Sequence, residues 1–289
     1  MVTAIFPSTI RVDDAHANRP IIDLLSDRFV WMDRSIWESR FKRGMVLVGG
    51  RPLAPDARLP SGTEVQYFRE VEEEPDADLN FKVVLEDPAF LVVDKPSGLP
   101  THPSGSYINK NLSTLLRQAY PDPFMSPVHR LDKDTSGLVL FARSKAVAAW
   151  FFDEIKARQM NKTYHALVTR WERPVPYIIS EPIARDRLGG NPLLSRVDPS
   201  GEPSQTHVIS AERCRDAWQL VLKPVTGRQH QLRVHLAHLG CPIIGDVLYG
   251  PQPMGPKPPL QLLCKEMHFR HPVTGAEVVV RSQTELPLK

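Results

Sequence analysis

The sequence predicts an α+β fold: a mixed, largely antiparallel sheet with flanking helices, plus a small N-terminal α/β module. Three observations lead there. Short apolar runs bounded by turn residues outnumber helix-period stretches, and the two kinds do not alternate as they do in doubly wound folds. An acidic stretch, Glu70 to Asp78, with six acids and no base, divides a helix-rich beginning from a strand-rich remainder. A chain of 289 residues, 42% of them hydrophobic, has material for two packed cores. The expected division is a module over 1–69, an acidic linker over 70–79 and a larger domain over 80–289.

The elements follow in order. Ile21, Ile22, Leu24, Leu25 and Phe29 fall at helical spacing, and Trp37 and Phe41 continue a second helix. Met45 to Val48 reads as a strand ended by Gly49-Gly50, and Pro60-Ser61-Gly62 as a turn before another strand. The acids of 70–78 repel one another, so that stretch is expected to bury no face. Lys82–Leu85 and Phe90–Val93 flank Glu86-Asp87-Pro88-Ala89 as a hairpin. Gly137–Ala142, Lys162–Val168, His207–Ala211, Ala217–Leu222 and Glu277–Arg281 read as strands. Ser144–Gln159 reads as a helix whose apolar face holds Val147, Phe151 and Ile155, and Gly227–Leu239 as another carrying Leu232, Leu236 and Leu239. Gly189-Gly190 is a turn, and Pro251–Pro259, with five prolines, is a loop.

Composition excludes several classes of function. Cys214, Cys241 and Cys264 have no C-x-x-C spacing, which argues against a disulfide framework and a thiolate zinc site. No run of about 18 apolar residues is present, so no membrane span is expected, and residues 1–11 lack the apolar core of a secretory signal. A cytoplasmic monomer is the expectation. The net charge is +3, and the acidic stretch leaves the rest of the chain more basic than that figure suggests, which favours a polyanionic partner. His230, His235 and His238 crowd one segment, but no His-Glu-x-x-His pattern accompanies them. They read as structural histidines, and no metal is expected.

The segment richest in chemistry is His129-Arg130-Leu131-Asp132-Lys133-Asp134-Thr135-Ser136-Gly137-Leu138. Two bases precede an acid, and a polar turn feeds an apolar strand. A side chain at the mouth of a strand is held rigidly yet stays reachable, as a nucleophile or base must be. An ion-paired loop capping the strand fits the same residues, and local composition leaves both open. A kinase catalytic loop does not fit, because Leu131 stands between Arg130 and Asp132 and no glycine-rich phosphate loop precedes them.

The segment resembles the signature of the RluA-type RNA pseudouridine synthases, and it has company. Asp94-Lys95-Pro96-Ser97-Gly98-Leu99 resembles that family's entry motif, and Lys162-Thr163-Tyr164-His165-Ala166-Leu167-Val168 its tyrosine strand. Val225-Thr226-Gly227-Arg228-Gln229-His230-Gln231-Leu232-Arg233-Val234-His235 resembles its third motif, and Gly245-Asp246 and Tyr249-Gly250 follow. These segments stand in the family's order across residues 81–275. The resemblance implies the pseudouridine synthase fold and an isomerase that needs no cofactor. Its substrate would be a structured RNA, ribosomal or transfer.

The resemblance also assigns roles. Asp132 becomes the nucleophile, which suits a carboxylate able to form an ester-like bond and then leave. Arg233 becomes its buried cationic partner, and Tyr164 is implied to lie against the turned-out uracil. Arg130, two residues before Asp132, is implied to enter the base stack, a task that suits a guanidinium. Lys95 and Arg228 are expected on the RNA. The first module resembles an alpha-L type RNA-binding module, with Arg40 and Arg43 among its expected RNA contacts. The sequence departs from the family at Leu99-Pro100-Thr101-His102-Pro103 and at Cys264-Lys265, where a His-Ala pair is common. A catalytically inactive RNA-binding protein on the same scaffold is the alternative.

Overall fold

A computed structural model describes residues 1–120, 122, 124–186, 194–252, 255–256 and 258–287. Gly189-Gly190 and part of the Pro251–Pro259 loop lie outside the described residues. The chain divides into two compact units, Met1–Pro75 with Pro103–Asn109, and Asp76–His102 with Lys110–Lys289.

In the first unit, β1 (Val2–Thr3) and β2 (Ser8–Arg11) precede α1 (Ile21–Arg28) and α2 (Arg34–Lys42). Then follow β3 (Val46–Val48), β4 (Arg51–Pro52), β5 (Glu64–Tyr67) and β6 (Glu70–Val71). The apolar face of α1, Ile21, Ile22, Leu24 and Leu25, packs with Trp37 and Phe41 of α2 and with Val46 and Val65 of the sheet. Asp33 caps α2 by accepting from Ser35 N–H at 2.8 Å. The sheet runs β2-β5-β3-β4, and β6 pairs with β1. The acidic stretch departs from expectation here. Glu70 lies in β6, and its carboxylate accepts from Arg43 Nη1 and Nη2 at 2.5 and 2.6 Å, while buried Glu74 accepts from Asn109 N–H at 2.7 Å. Guanidinium and backbone N–H groups satisfy these acids, so the first half of the stretch is docked and not a self-repelling tether.

The second unit opens with the expected hairpin, β7 (Lys82–Glu86) and β8 (Phe90–Lys95). Next come α3 (Leu112–Ala119), β9 (Ser126–Pro127), β10 (Ser136–Ala142), α4 (Lys145–Lys156) and β11 (Asn161–Val168). They are followed by β12 (Tyr177–Ile179), β13 (Ile183–Arg185), β14 (Ser195–Val197), β15 (Thr206–Cys214), β16 (Ala217–Pro224), α5 (Gln231–His238), β17 (Leu262–Arg270) and β18 (Glu277–Arg281). Among the described residues the large sheet runs β12-β15-β16-β11-β17-β10-β8-β7, with β18 beside β17 and β9 beside β10. Its pairs are antiparallel except β10 with β17, which run parallel with Gly137 opposite Cys264. β8 and β10 are buried along their whole length, which explains their unbroken apolar runs. Phe151 of α4 packs edge-on against Phe90 and Phe269, and each such buried ring contributes about 2 kcal/mol.

Several elements escaped the sequence reading, among them β17 and α3. β17 lies at the centre of the sheet, but Lys265 and Glu266 interrupt its apolar pattern. α3 is one of the shortest helices, capped by Asn111, which accepts from Thr114 N–H at 3.0 Å. The expected helix over Gly227–Leu239 starts only at Gln231, because His230 sits at φ +55° and ends the preceding turn. Among the described residues no helix is long and apolar enough to cross a membrane.

Candidate active site

The loop that carries Asp132 is fastened by the entry motif. Lys95 is 1% exposed, and its Nζ donates to the carbonyls of Pro96, Leu99 and Lys133 at 2.9, 2.8 and 3.0 Å. Gly98 N–H also donates to Lys133 O at 2.9 Å, and Ser97 Oγ donates to Asp134 O at 2.7 Å. On the other side Thr101 Oγ1 donates to Leu131 O at 2.8 Å and accepts from Leu131 N–H at 3.1 Å. Burial pushes the Lys95 amine down to about 7, against the pull of Asp132 and Asp134. The expectation of Lys95 on the RNA is corrected: the side chain is spent on backbone carbonyls, including that of the residue after Asp132.

Behind the loop, β10 approaches β17 at Gly137. Its φ is +105°, and a Cβ there would stand 2.3 Å from Cys264 O. Glycine alone allows the chain to turn from the loop into the parallel pairing.

Asp132, at the mouth of β10, keeps its side chain 24% exposed. Arg233 Nη1 of α5 donates to its Oδ2 at 3.2 Å, joining residues 101 apart in sequence. Arg233 is itself held from behind: Nε and Nη2 each donate at 2.8 Å to the two oxygens of buried Asp246. Burial alone would lower the guanidinium, but the bonds to Asp246 and the charge of Asp132 outweigh it and raise Arg233 above its ordinary range. Burial likewise opposes ionisation of Asp246, and the Arg233 bonds with the N–H groups of Leu248 and Tyr249 reverse that, leaving it below its ordinary value. Gly245 makes this turn possible, because a Cβ there would meet Pro259 O at 2.2 Å. The resemblance implied Arg233 beside Asp132 and assigned Asp246 no role, although Gly245-Asp246 stands among the motifs.

Tyr164 of β11 is buried and pairs with Cys264 on one side and Leu222 on the other. Burial first, then Cys264 and the charge of Asp132, hold its phenol well above the usual range, so the group is a neutral O–H. Burial pushes the Cys264 thiol up to about 11, which leaves it protonated and unreactive. His129 turns inward, its Nε2 accepting from Leu140 N–H at 3.2 Å. Arg130 is exposed at the mouth of the site, its charge acting on His102 and His230.

Three further cations are placed differently from expectation. Arg228 ion-pairs with Glu202 and donates to Pro203 O, so its charge is compensated within the protein. Arg40 is 4% exposed, lies over the Trp37 ring at 4.9 Å and stands 3.8 Å from Glu70. Arg43 is taken by Glu70. Arg40 and Arg43 are expected on RNA through the resemblance of the first module, and Arg228 is expected there too; each faces an acid of the protein. Both nitrogens of His235 are engaged: Nε2–H donates to Glu181 O and Nδ1 accepts from Thr206 Oγ1, each at 2.9 Å.

Residues 89–238 match the RNA pseudouridylate synthase family. The chain is 32% identical to ribosomal large subunit pseudouridine synthase D of Xanthomonas campestris, over 92% of this chain and 86% of that protein. It is 30% identical to ribosomal large subunit pseudouridine synthase C of Salmonella typhi, over 94% and 92%. Among solved structures, human RNA pseudouridylate synthase domain containing 1 aligns with a TM-score of 0.60 at 28% identity, covering 73% of this chain and 86% of that one. The carboxylate at the strand mouth, the guanidinium behind it and the ordered motifs around them thus belong to a member of the RNA pseudouridylate synthase family, an isomerase of uridine in RNA.

Proposed function

We infer that this protein converts selected uridines of ribosomal RNA to pseudouridine, with Asp132 as the nucleophile. The observation that carries this reading is the Asp132 carboxylate, partly open to solvent and bonded at 3.2 Å to an arginine that Asp246 holds rigid. The reaction breaks the bond between uracil N1 and the sugar, turns the base, and joins its C5 to the same sugar carbon. The C5 proton leaves to solvent, and N1 gains one. A carboxylate can open this sequence at the sugar, at the base or by removing a sugar proton, and a group held in place from behind serves each of these.

The surrounding residues suit the steps. Tyr164, a neutral phenol beside the carboxylate, offers the turned-out uracil a ring face and an O–H. Exposed Arg130 at the mouth fits the gap that the base leaves, where its guanidinium can stack. Flipping costs a few kcal/mol, which protein–RNA contacts offset. The ribosomal target rests on the names of the two bacterial relatives. In the first unit, Lys42 and Arg51 are exposed and fit a phosphate backbone, so this unit supplies affinity as an RNA-binding module.

The test uses ribosomal RNA carrying tritium at uracil C5. The wild-type protein should release the label to water, whereas Asp132→Asn and Asp132→Ala should release none while keeping wild-type circular dichroism and unfolding midpoints. A wild-type protein that binds the RNA and releases no tritium would be a binding protein only.

A further inference from the structure

The imidazole of His230 lies against Asp132, and none of the roles above uses it. Its Nε2 stands 3.7 Å from Asp132 Oδ1, the oxygen that Arg233 leaves open. The residue precedes α5 in the left-handed region, at φ +55°, and makes no side-chain cap bond to the helix. Glycine or asparagine would hold this backbone with less strain, and serine or aspartate would cap the helix better. Strained backbone persists where the surroundings over-determine it, often at a functional site. Here the clamp is Tyr249, whose hydroxyl lies 2.7 Å from His230 Nδ1.

This clamp also decides where the ring proton sits. The Tyr249 oxygen accepts from Ser195 N–H at 2.9 Å and has its own proton to offer His230 Nδ1, and the carboxylate facing Nε2 favours that direction. The imidazole then carries its proton on Nε2, facing Asp132 Oδ1. The opposite tautomer would set a lone pair against the carboxylate. Burial lowers the His230 imidazole from its ordinary value, and Arg233 and Arg130 act the same way while Asp132 and Asp246 oppose them.

We propose that His230 is a positioning residue of this site. Its tautomer fixed by Tyr249, it presents Nε2–H to Oδ1 of Asp132 and, with Arg233 on Oδ2, sets the rotation of the carboxylate plane. The proposal rests on the reading that Asp132 is the reacting group. At 3.7 Å the contact is long, of the kind that tightens when substrate displaces water. A carboxylate gripped on one oxygen still rotates, whereas gripped on both it meets the substrate in one orientation.

Tritium release at limiting and saturating RNA tests this in the full-length protein, comparing wild type with His230→Asn, His230→Gln and Tyr249→Phe. Asparagine suits the left-handed backbone but is too short to reach Asp132, so kcat should fall about tenfold or more with KM unchanged. Glutamine fits the backbone less well, yet its amide nitrogen reaches the place of Nε2 and should recover part of kcat. Tyr249→Phe frees the tautomer and should lower kcat several-fold, again without moving KM. A merely structural histidine would give the reverse order, with asparagine the better enzyme. That order, or a kcat for His230→Asn and Tyr249→Phe equal to wild type, overturns the proposal. If the His230 variants do not fold, Tyr249→Phe decides alone. A wild-type protein that releases no tritium overturns the assignment of Asp132 and this proposal with it, whereas an active wild type with unaffected variants overturns only the role of His230.

Discussion

At the scale of single residues, the site is a carboxylate–guanidinium–carboxylate chain, Asp132–Arg233–Asp246, with only its first member open to solvent. Asp246→Ala leaves the buried Arg233 with Asp132 as its one remaining carboxylate partner among the described residues and should cost about 3 kcal/mol, read from the urea midpoint. The same pair makes stability depend on acid. Asp246 has a folded value below its ordinary 3.8, so the folded state holds its carboxylate ionised where the unfolded chain would already take up a proton. That stability is full above 3.8 and is lost as pH falls through the lower folded value, and in Asp246→Asn this part of the acid limb of a melting curve should flatten. Asp132 and Arg233 were legible in the sequence because their spacing matched a family's motifs. Arg40, Arg43, Arg228 and Lys95 each have a partner within the protein, which a basic letter in the sequence does not show. Glu70, Glu202 and the Lys133 carbonyl that Lys95 meets all come from segments that nothing local in the sequence ties to these cations.

At the scale of elements, the parallel seam between β10 and β17 sets where the Asp132 loop ends. Gly137→Ala adds a methyl 2.3 Å from Cys264 O in a backbone conformation that alanine avoids, and the loss should exceed about 3 kcal/mol. Gly227→Ala, with nothing within 4 Å of the added carbon, is the matched control and should leave the unfolding midpoint within error. The hairpin β7–β8 and the strands β10, β11, β15, β16 and β18 could be read from their apolar runs, of which β8 and β10 are buried along their whole length and β11 over its last three residues. β17 could not. Lys265 sends its amine to Ser282 O, Thr284 O and Glu285, and Glu266 pairs with Arg281, so two charges sit in a central strand through partners supplied by the chain's last segment.

At the scale of the whole molecule, the two units divide the work of binding and chemistry in the function proposed here. Replacing Lys42 and Arg51 by glutamate should weaken binding to ribosomal RNA and make the logarithm of affinity less steep against the logarithm of salt, by roughly one for each phosphate left unneutralised. Affinity and salt slope equal to wild type, measured by filter binding, would remove the first unit from the RNA interface. The α+β class was legible from the ratio and order of strands and helices. The capture of 103–109 by the first unit was not, because it depends on bonds such as Arg69 to Gly105 O at 2.5 Å and Asn109 to Thr3 O at 2.9 Å, which join distant stretches of chain.

The seam at Gly137 also governs the order in which the molecule can be completed during synthesis. A growing chain that ends before Leu262 already contains Asp132, Tyr164, Arg233 and Asp246, yet it lacks the strand on which β10 and β11 both lean. Pairings this far apart form late, because the intervening chain must first be closed into a loop. A nascent chain thus owns these four side chains before it owns the strand that holds them together, and their site cannot be assembled until β17 has been made.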